Sequence, residues 1–467
     1  MAFAGGLAAE VAAVGPANTR KLSARALLAI EAALLVAVFA GLMHFGLCYM
    51  GDSKYSILVS ENLLYDHTFV VDPESVRVEA PFALGTSPKS PALRKPFPYQ
   101  MEMVNGQLFY FYPVGSSVIS IPLVALMNLA GYSAHNPIGR YNEDGDRQIQ
   151  KTIAALLMAI LAVVFFRTAL LLLPLSWSLV MAIGAAFGTQ VWSSASRALW
   201  SHTWMILLFG IAIYMILSEE EDQAQGHPII LATVLSWAYF VRPTSAIPIA
   251  AITLYILVFK PKAFIALAGT GATWLAAFLV FSWKTFHRLL PTYYLFHLNL
   301  SPGHSFEAIF GDLISPSRGL FIYTPGAAFG LFLVCYYWGK LSHRSLALLS
   351  LLTAALQLLV IATDPNWWGG HCYGARLTTD ILPWLFLLTA LGCRALRDEP
   401  HAALKHYAIA FGLMTIVVGA LMNGRGAMSP AANDWVNGPP DVDDQPGRVW
   451  DWSYPQFLAG LGCSHGR

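Results

Sequence analysis

Apolar runs long enough to cross a membrane recur from Leu27 to Met422, and this recurrence constrains the chain more than any motif does. A helix needs about 20 such residues to cross a bilayer core, where no water satisfies an unpaired backbone. The runs are Leu27–Met50, Ile149–Phe166, Ala169–Trp192, Trp200–Leu217, Ile229–Val241, Ala246–Phe259, Ala263–Trp283, Leu320–Trp338, Leu346–Ile361, Ile381–Leu396 and Tyr407–Met422. They predict an all-α polytopic membrane protein with about eleven transmembrane helices. Ile229–Phe259 reads either as two short spans broken at Arg242-Pro243 or as one kinked helix. Charged residues make up 12% of the 467, against about 25% in a soluble protein. That share excludes a soluble enzyme and a disordered scaffold. The net charge of +1 gives no field to attract nucleic acid.

With so few charges, their placement carries the topology. Pro113–Leu129 is apolar but opens Tyr-Pro-Val-Gly-Ser-Ser and contains Pro122. If it does not span, Arg167, Lys260/Lys262, Lys340/Arg344 and Arg394/Arg397/Lys405 all fall on the side of the N-terminus, as the positive-inside rule asks. If it spans, all four clusters move outside. The segment 113–129 is therefore expected to be re-entrant or interfacial. The predicted organisation is a cytoplasmic tail over 1–26 and an uncleaved first span over 27–50. A long extracytoplasmic loop over 51–148, a helical core over 149–422 and an extracytoplasmic tail over 423–467 follow. The expected location is the cytoplasmic membrane, with the site on the outer side. No internal repeat of fixed period occurs. The five cysteines, Cys48, Cys335, Cys372, Cys393 and Cys463, have no zinc-site spacing. A Cys372–Cys463 disulfide is compatible with an outer face, though nothing in the sequence requires it.

Four places carry residues suited to chemistry. Gly51-Asp52-Ser53-Lys54-Tyr55 follows the first span. Asp52 is either a helix N-cap or a carboxylate at the water–lipid boundary able to act as general base. Lys54 either holds its charge, binds a phosphate or is a surface lysine. Ser315-Pro316-Ser317-Arg318-Gly319 places an arginine on the expected outer side, as do Val241-Arg242-Pro243-Thr244 and Gly374-Ala375-Arg376. The plainer reading is a snorkelling arginine, but the topology rule gives no reason for arginine there. Arginine's planar fork of donors suits phosphate oxygens. The most distinctive string is Asp364-Pro365-Asn366-Trp367-Trp368-Gly369-Gly370-His371-Cys372-Tyr373-Gly374-Ala375-Arg376. Its glycines permit positive φ or close backbone approach, and Trp367, Trp368 and Tyr373 offer flat faces to a sugar ring or prenyl tail. An aromatic belt explains the rings but not Gly-Gly, His371 and Arg376 together. The acidic run Asp441-Val442-Asp443-Asp444 fits no EF-hand spacing and reads as solvated loop or a cap over the site mouth. Asp72, Glu61, Lys89 and Lys95 in the first loop are secondary candidates without a motif.

An acid and a tyrosine after the first span, followed by a long outer loop, resemble the GT-C membrane glycosyltransferases. The members most like this chain are the protein O-mannosyltransferases and the aminoarabinose transferase-like bacterial proteins. Their Asp-Glu-x-x-Tyr pattern is met here by Asp52, but Ser53 replaces the second acid and Tyr55 lies nearby. Tyr112-Pro113-Val114-Gly115, Gly188-Thr189-Gln190-Val191-Trp192 to Ser201-His202, Val241-Arg242-Pro243-Thr244 and the Trp-Trp-Gly-Gly string resemble motifs of bacterial members in the same order. The resemblance implies a GT-C-like bundle and an inverting sugar transfer from a polyprenyl-phosphate donor to an extracytoplasmic glycan, lipid or protein. Asp52 would be the base and Arg318, Arg376 and Arg242 the donor-phosphate ligands. Lys54, Tyr55, Trp367, Trp368, His371 and Tyr373 would touch substrate. No cofactor is required, and a divalent metal stays open but is not indicated, since the second acid is missing. The expected partners are the bilayer, the lipid-linked sugar and an acceptor. The alternatives are a flippase for lipid-linked sugars, for which Glu31 is the main ionisable residue within a span, and a catalytically inactive relative.

Overall fold

The structure, a computed structural model, describes residues 23–44, 46–76, 97–222, 226–296 and 305–461. Cys463, Lys89 and Lys95 lie outside the described residues, as does most of the expected N-terminal tail. Cys372 is a free thiol.

Each of the eleven apolar runs forms a helix, so the protein is a mostly helical polytopic membrane protein. The helices are α1 (Ala24–His44), α4 (Glu143–Leu172), α5 (Leu175–Phe187), α6 (Ser201–Asp222), α7 (Pro228–Val241), α8 (Ala246–Phe259), α9 (Pro261–Phe286), α13 (Pro325–Tyr336), α14 (Arg344–Ile361), α15 (Leu382–Arg397) and α16 (Ala402–Met428). Among the described residues seven helices are long and apolar enough to cross a membrane, and five more are apolar but shorter. The short helices α2 (Ser56–Tyr65), α3 (Gly115–Leu129), α10 (Thr292–Phe296), α11 (Ser305–Ile314), α12 (Leu320–Tyr323) and α17 (Pro430–Asp434) fill the connections.

Several boundaries differ from those expected, each for a local reason. The Ile229–Phe259 run is two helices, with Arg242 extended at φ −154° ahead of Pro243, because the residue before proline is pushed out of the helical region. The Leu320–Trp338 run breaks at Thr324-Pro325 for the same reason. The first helix stops at His44, six residues before Met50. Helix α4 starts at Glu143, inside the expected loop, where Asn142 caps it by accepting from the Gly145 N–H at 3.2 Å.

The first loop also holds a three-stranded antiparallel sheet ordered β1 (Val70–Val71), β3 (Gln107–Tyr110), β2 (Met101–Val104). The all-helical reading missed it. Asn105 (φ 50°) and Gly106 (φ 81°) form the two-residue turn between β2 and β3, and Asn-Gly is the favoured hairpin pair where both positions need positive φ.

The helix ends sort the charges into two faces. At one end Arg167 grips Glu31 through two bonds of 2.7 Å, and Arg397 donates to the Leu172 carbonyl. Arg394 pairs with Glu221 there, and Lys260 with Glu219 at 3.0 Å. At the opposite end Lys54 meets Glu143 at 2.7 Å. The segment between Lys54 and Glu143 therefore starts and ends at the same place in the fold.

Glu61 ties that first segment together. It is buried and accepts from Asn128 Nδ2 at 2.6 Å, the Ala134 N–H at 3.0 Å, Ser133 Oγ at 3.0 Å and, through its ring nitrogen, His135 at 2.8 Å. Burial pushes this carboxyl up, but the bonds from His135, Ala134, Asn128 and Ser133 outweigh it and leave it below its ordinary value. A depressed acid stabilises the fold above its unfolded pKa of about 4.3 and stops doing so as pH falls through the lower folded value. Limited proteolysis at residues 97–142 is thus expected to rise only on acidification below about pH 4. Glu61→Ala is expected to show the same exposure at pH 7, with a loss of about 3 kcal/mol from orphaned buried donors. Equal protection of wild type and variant at pH 7 would remove Glu61 from this role.

Candidate functional site

Asp52 sits on a turn fixed from four directions. Gln100 Nε2 donates to the Gly51 carbonyl at 3.1 Å, Gln150 Nε2 to the Ser53 carbonyl at 2.9 Å and the Tyr110 hydroxyl to the Asp52 carbonyl. The Tyr55 N–H donates to Asp146 Oδ2 at 3.2 Å. Gly51 is required here, because a Cβ would fall 2.7 Å from the Trp200 ring. Helix α2 begins with Tyr55 as its N-cap residue and has no side-chain cap bond. The capping reading of Asp52 therefore falls away.

The carboxylate itself, 39% exposed, has two partners. Tyr112 donates from its hydroxyl to Oδ1 at 2.9 Å, and Arg376 Nη1 lies 3.6 Å from Oδ2. Tyr110 and Tyr112 reach the same residue because side chains two apart in extended chain share a face. Burial first, and then the charge of Asp52, push the Tyr112 phenol far above its ordinary range, so it stays a donor. The same two causes, in that order, raise Tyr99 to about 12.

Arg376 opens the 3₁₀ turn Arg376–Ile381. Its guanidinium lies 4.5 Å from the Trp200 ring centroid, Nη2 reaches the Gly369 carbonyl at 3.4 Å, and the buried Nε has no partner. Its fork is therefore largely unspent. The same turn carries Asp380, whose Oδ2 accepts from Arg242 Nε at 2.6 Å and whose Oδ1 lies 2.5 Å from His202 Nδ1. Arg242 Nη1 donates to Ser201 Oγ at 2.8 Å.

Other residues expected to touch substrate are placed differently. Arg318 is fully buried, with Nε on the Trp368 carbonyl, Nη1 on the Ser317 carbonyl and Gln456 Oε1, and Nη2 on the Gly370 carbonyl. Its donors are spent on the Trp-Trp-Gly-Gly loop, on Ser317 and on Gln456. That loop turns at Gly369, Gly370 and Gly374, all at positive φ as the string predicts. Trp367 is buried against Gly311 and Trp450, and Tyr373 is buried with its hydroxyl on the Met422 carbonyl. Tyr55 is buried 4.4 Å from the Tyr141 ring. These rings pack the core and offer no free face. Lys54 is held by Glu143, and Trp368 Nε1 donates to Asp443 Oδ1 at 2.8 Å. His371 Nε2 lies 2.9 Å from Asp441 Oδ1 and 3.6 Å from Asp443 Oδ2. The acidic run thus fastens the tail to the loop. Among the described residues His371, Asp441 and Asp443 are the group that could hold a metal ion, with ligand atoms within 4.8 Å of one another.

Sequence reasoning missed Asp146, Asp380 and Trp200. Asp146 is fully buried, accepting from Tyr141 and Gln150 besides Tyr55, but in sequence it reads as one of three acids favoured in a helix's first turn. Asp380 had no motif. Trp200 adjoins Ser201-His202, the end of a string already singled out, and that was its signal.

A small apolar groove is lined by Leu382, Phe386, Gly184, Gly188, Gly326 and Thr324 among others. Leu382 directly follows the Arg376 turn.

No protein-family model and no curated protein matches the sequence. Among solved structures, ArnT from Cupriavidus metallidurans bound to undecaprenyl phosphate is similar at a TM-score of 0.44 and 13% identity, over 92% of this chain and 76% of that one. Likeness at this level says nothing about chemistry.

Proposed function

We propose that the chain is an inverting glycosyltransferase that moves a sugar from a polyprenyl phosphate to an acceptor hydroxyl at the extracytoplasmic face of the membrane. The observation that carries the reading is a half-exposed carboxylate, Asp52, on a rigid turn and facing the largely unspent guanidinium of Arg376 at 3.6 Å. Asp52 takes the acceptor's hydroxyl proton as the acceptor oxygen attacks the anomeric carbon. The bond from that carbon to the phosphate oxygen breaks, and the departing prenyl phosphate keeps the electron pair. Arg376, with Arg242 behind it, stabilises the charge that develops there. One displacement inverts the anomeric centre and needs no covalent intermediate. Tyr112 holds Oδ1, leaving Oδ2 for the proton. The apolar groove that Leu382 lines, directly after the Arg376 turn, suits an isoprenoid tail. The motif order noted above supports the same class. The flippase alternative leans on Glu31, which is occupied by Arg167.

The purified protein in nanodiscs, given a radiolabelled polyprenyl-phosphate sugar and a cell-envelope acceptor fraction, is expected to release prenyl phosphate and labelled product in equal amounts. Vesicles that move the labelled lipid across the bilayer and form no product would overturn the reading in favour of a flippase.

A further inference from the structure

Three consecutive residues at the entry to α6 each hold a different side chain of the arginine cluster. Trp200 lies under the Arg376 guanidinium, Ser201 accepts from Arg242 Nη1, and His202 pairs with Asp380 Oδ1. Asp380 closes the frame by accepting from Arg242 Nε. Both Asp380 and His202 are 2–3% exposed, while Arg242 is 13% exposed. Among the described residues no protein acceptor takes Arg242 Nη2. A flexible side chain thus has its inner edge bonded to a buried carboxylate and its outer edge left for something else.

Burying a carboxylate is costly unless it is paired and hydrogen-bonded. Asp380 cancels part of the positive charge that would attract an anion, so it does not belong to a site built for charge alone. It makes sense if the orientation of Arg242 matters more than the net charge. We infer that Asp380 is a positioning residue that fixes Arg242 for the phosphate of the lipid donor, with Ser201 and His202 completing the frame. This rests on the donor class proposed above.

The sign of one substitution separates orientation from charge. Asp380→Asn removes a negative charge beside Arg242, so simple electrostatics predicts tighter binding of an anion. Loss of orientation predicts the reverse. Titrating nanodisc-embedded protein with undecaprenyl phosphate, read by tryptophan fluorescence, is expected to show about tenfold weaker binding for Asp380→Asn, the effect of one lost charge-assisted bond. In a double-mutant cycle with Arg242→Gln, the Asp380 substitution is expected to cost almost nothing more, because its effect passes through that arginine. Additive losses would mean a general structural role and would overturn the inference, as would unchanged or tighter binding. If Asp380→Asn fails to insert, Ser201→Ala tests the same frame from Arg242 Nη1. It is expected to weaken binding two- to fivefold, in line with one neutral bond, and unchanged binding overturns the inference. If the wild type binds no prenyl phosphate while correctly folded, the donor reading itself fails.

Discussion

Asp52→Asn is expected to lower the turnover of sugar transfer by about 10²–10⁴-fold, the range for loss of a general base, without changing membrane insertion or thermal unfolding. The turn stays in place because its anchors are backbone groups: the Gly51, Asp52 and Ser53 carbonyls and the Tyr55 N–H. Asparagine keeps the oxygen that accepts from Tyr112 but cannot take a proton. It also removes the charge facing Arg376, so donor binding should hold or tighten. The expected signature is therefore a fall in kcat with KM unchanged or lower. Radiolabel transfer at saturating donor measures it, and a variant with near wild-type kcat would take the base role away from Asp52.

Arg376→Lys is expected to cost about 10²–10³-fold in kcat/KM, as when one charge-stabilising donor is lost. Lysine keeps the charge but not the shape of the guanidinium. Its plane packs over Trp200 and its fork can bridge two phosphate oxygens. An ammonium does neither. The contrast with Arg318 makes the prediction specific. Arg318 already donates to two loop carbonyls, to the Ser317 carbonyl and to Gln456, so its loss should show as a lower unfolding temperature and a loosened Trp-Trp-Gly-Gly loop. Transfer assays at saturating donor, paired with thermal unfolding in detergent, distinguish the two arginines. Equal stability losses with no kinetic difference would remove Arg376 from the donor site.

Much of the architecture was legible because membrane folding is governed by a local rule. Each backbone group in a bilayer core must be satisfied within its own segment, so an apolar run is already a helix, and all eleven runs became helices. The breaks at Arg242-Pro243 and Thr324-Pro325 were equally local, since proline acts on its own neighbour. The sheet in the first loop was less visible, as its strands are two to four residues long. Only Asn105-Gly106 marked it.

The site divides along the same line. Residue type and position singled out Asp52, Arg242 and Arg376 from the sequence, because charge at the expected outer face has no topological reason to be there. Which arginines are unspent was not a sequence property. Arg318 and Arg376 are each flanked by glycine-containing loop and each opens a helical stretch, yet one has its fork filled by carbonyls from residues 368–370 and the other has a buried Nε without a partner. Likewise Trp367 and Tyr373 are exposed rings in a string and core residues in the fold. The sequence by itself determined the helices, their breaks and the short roster of charges that topology leaves unexplained. The tertiary structure alone decided which of those charges remain available, because hydrogen-bond capacity is used up by partners such as Gln456, Asp380 and Trp200 that lie far along the chain and meet the arginines only once the helices have packed.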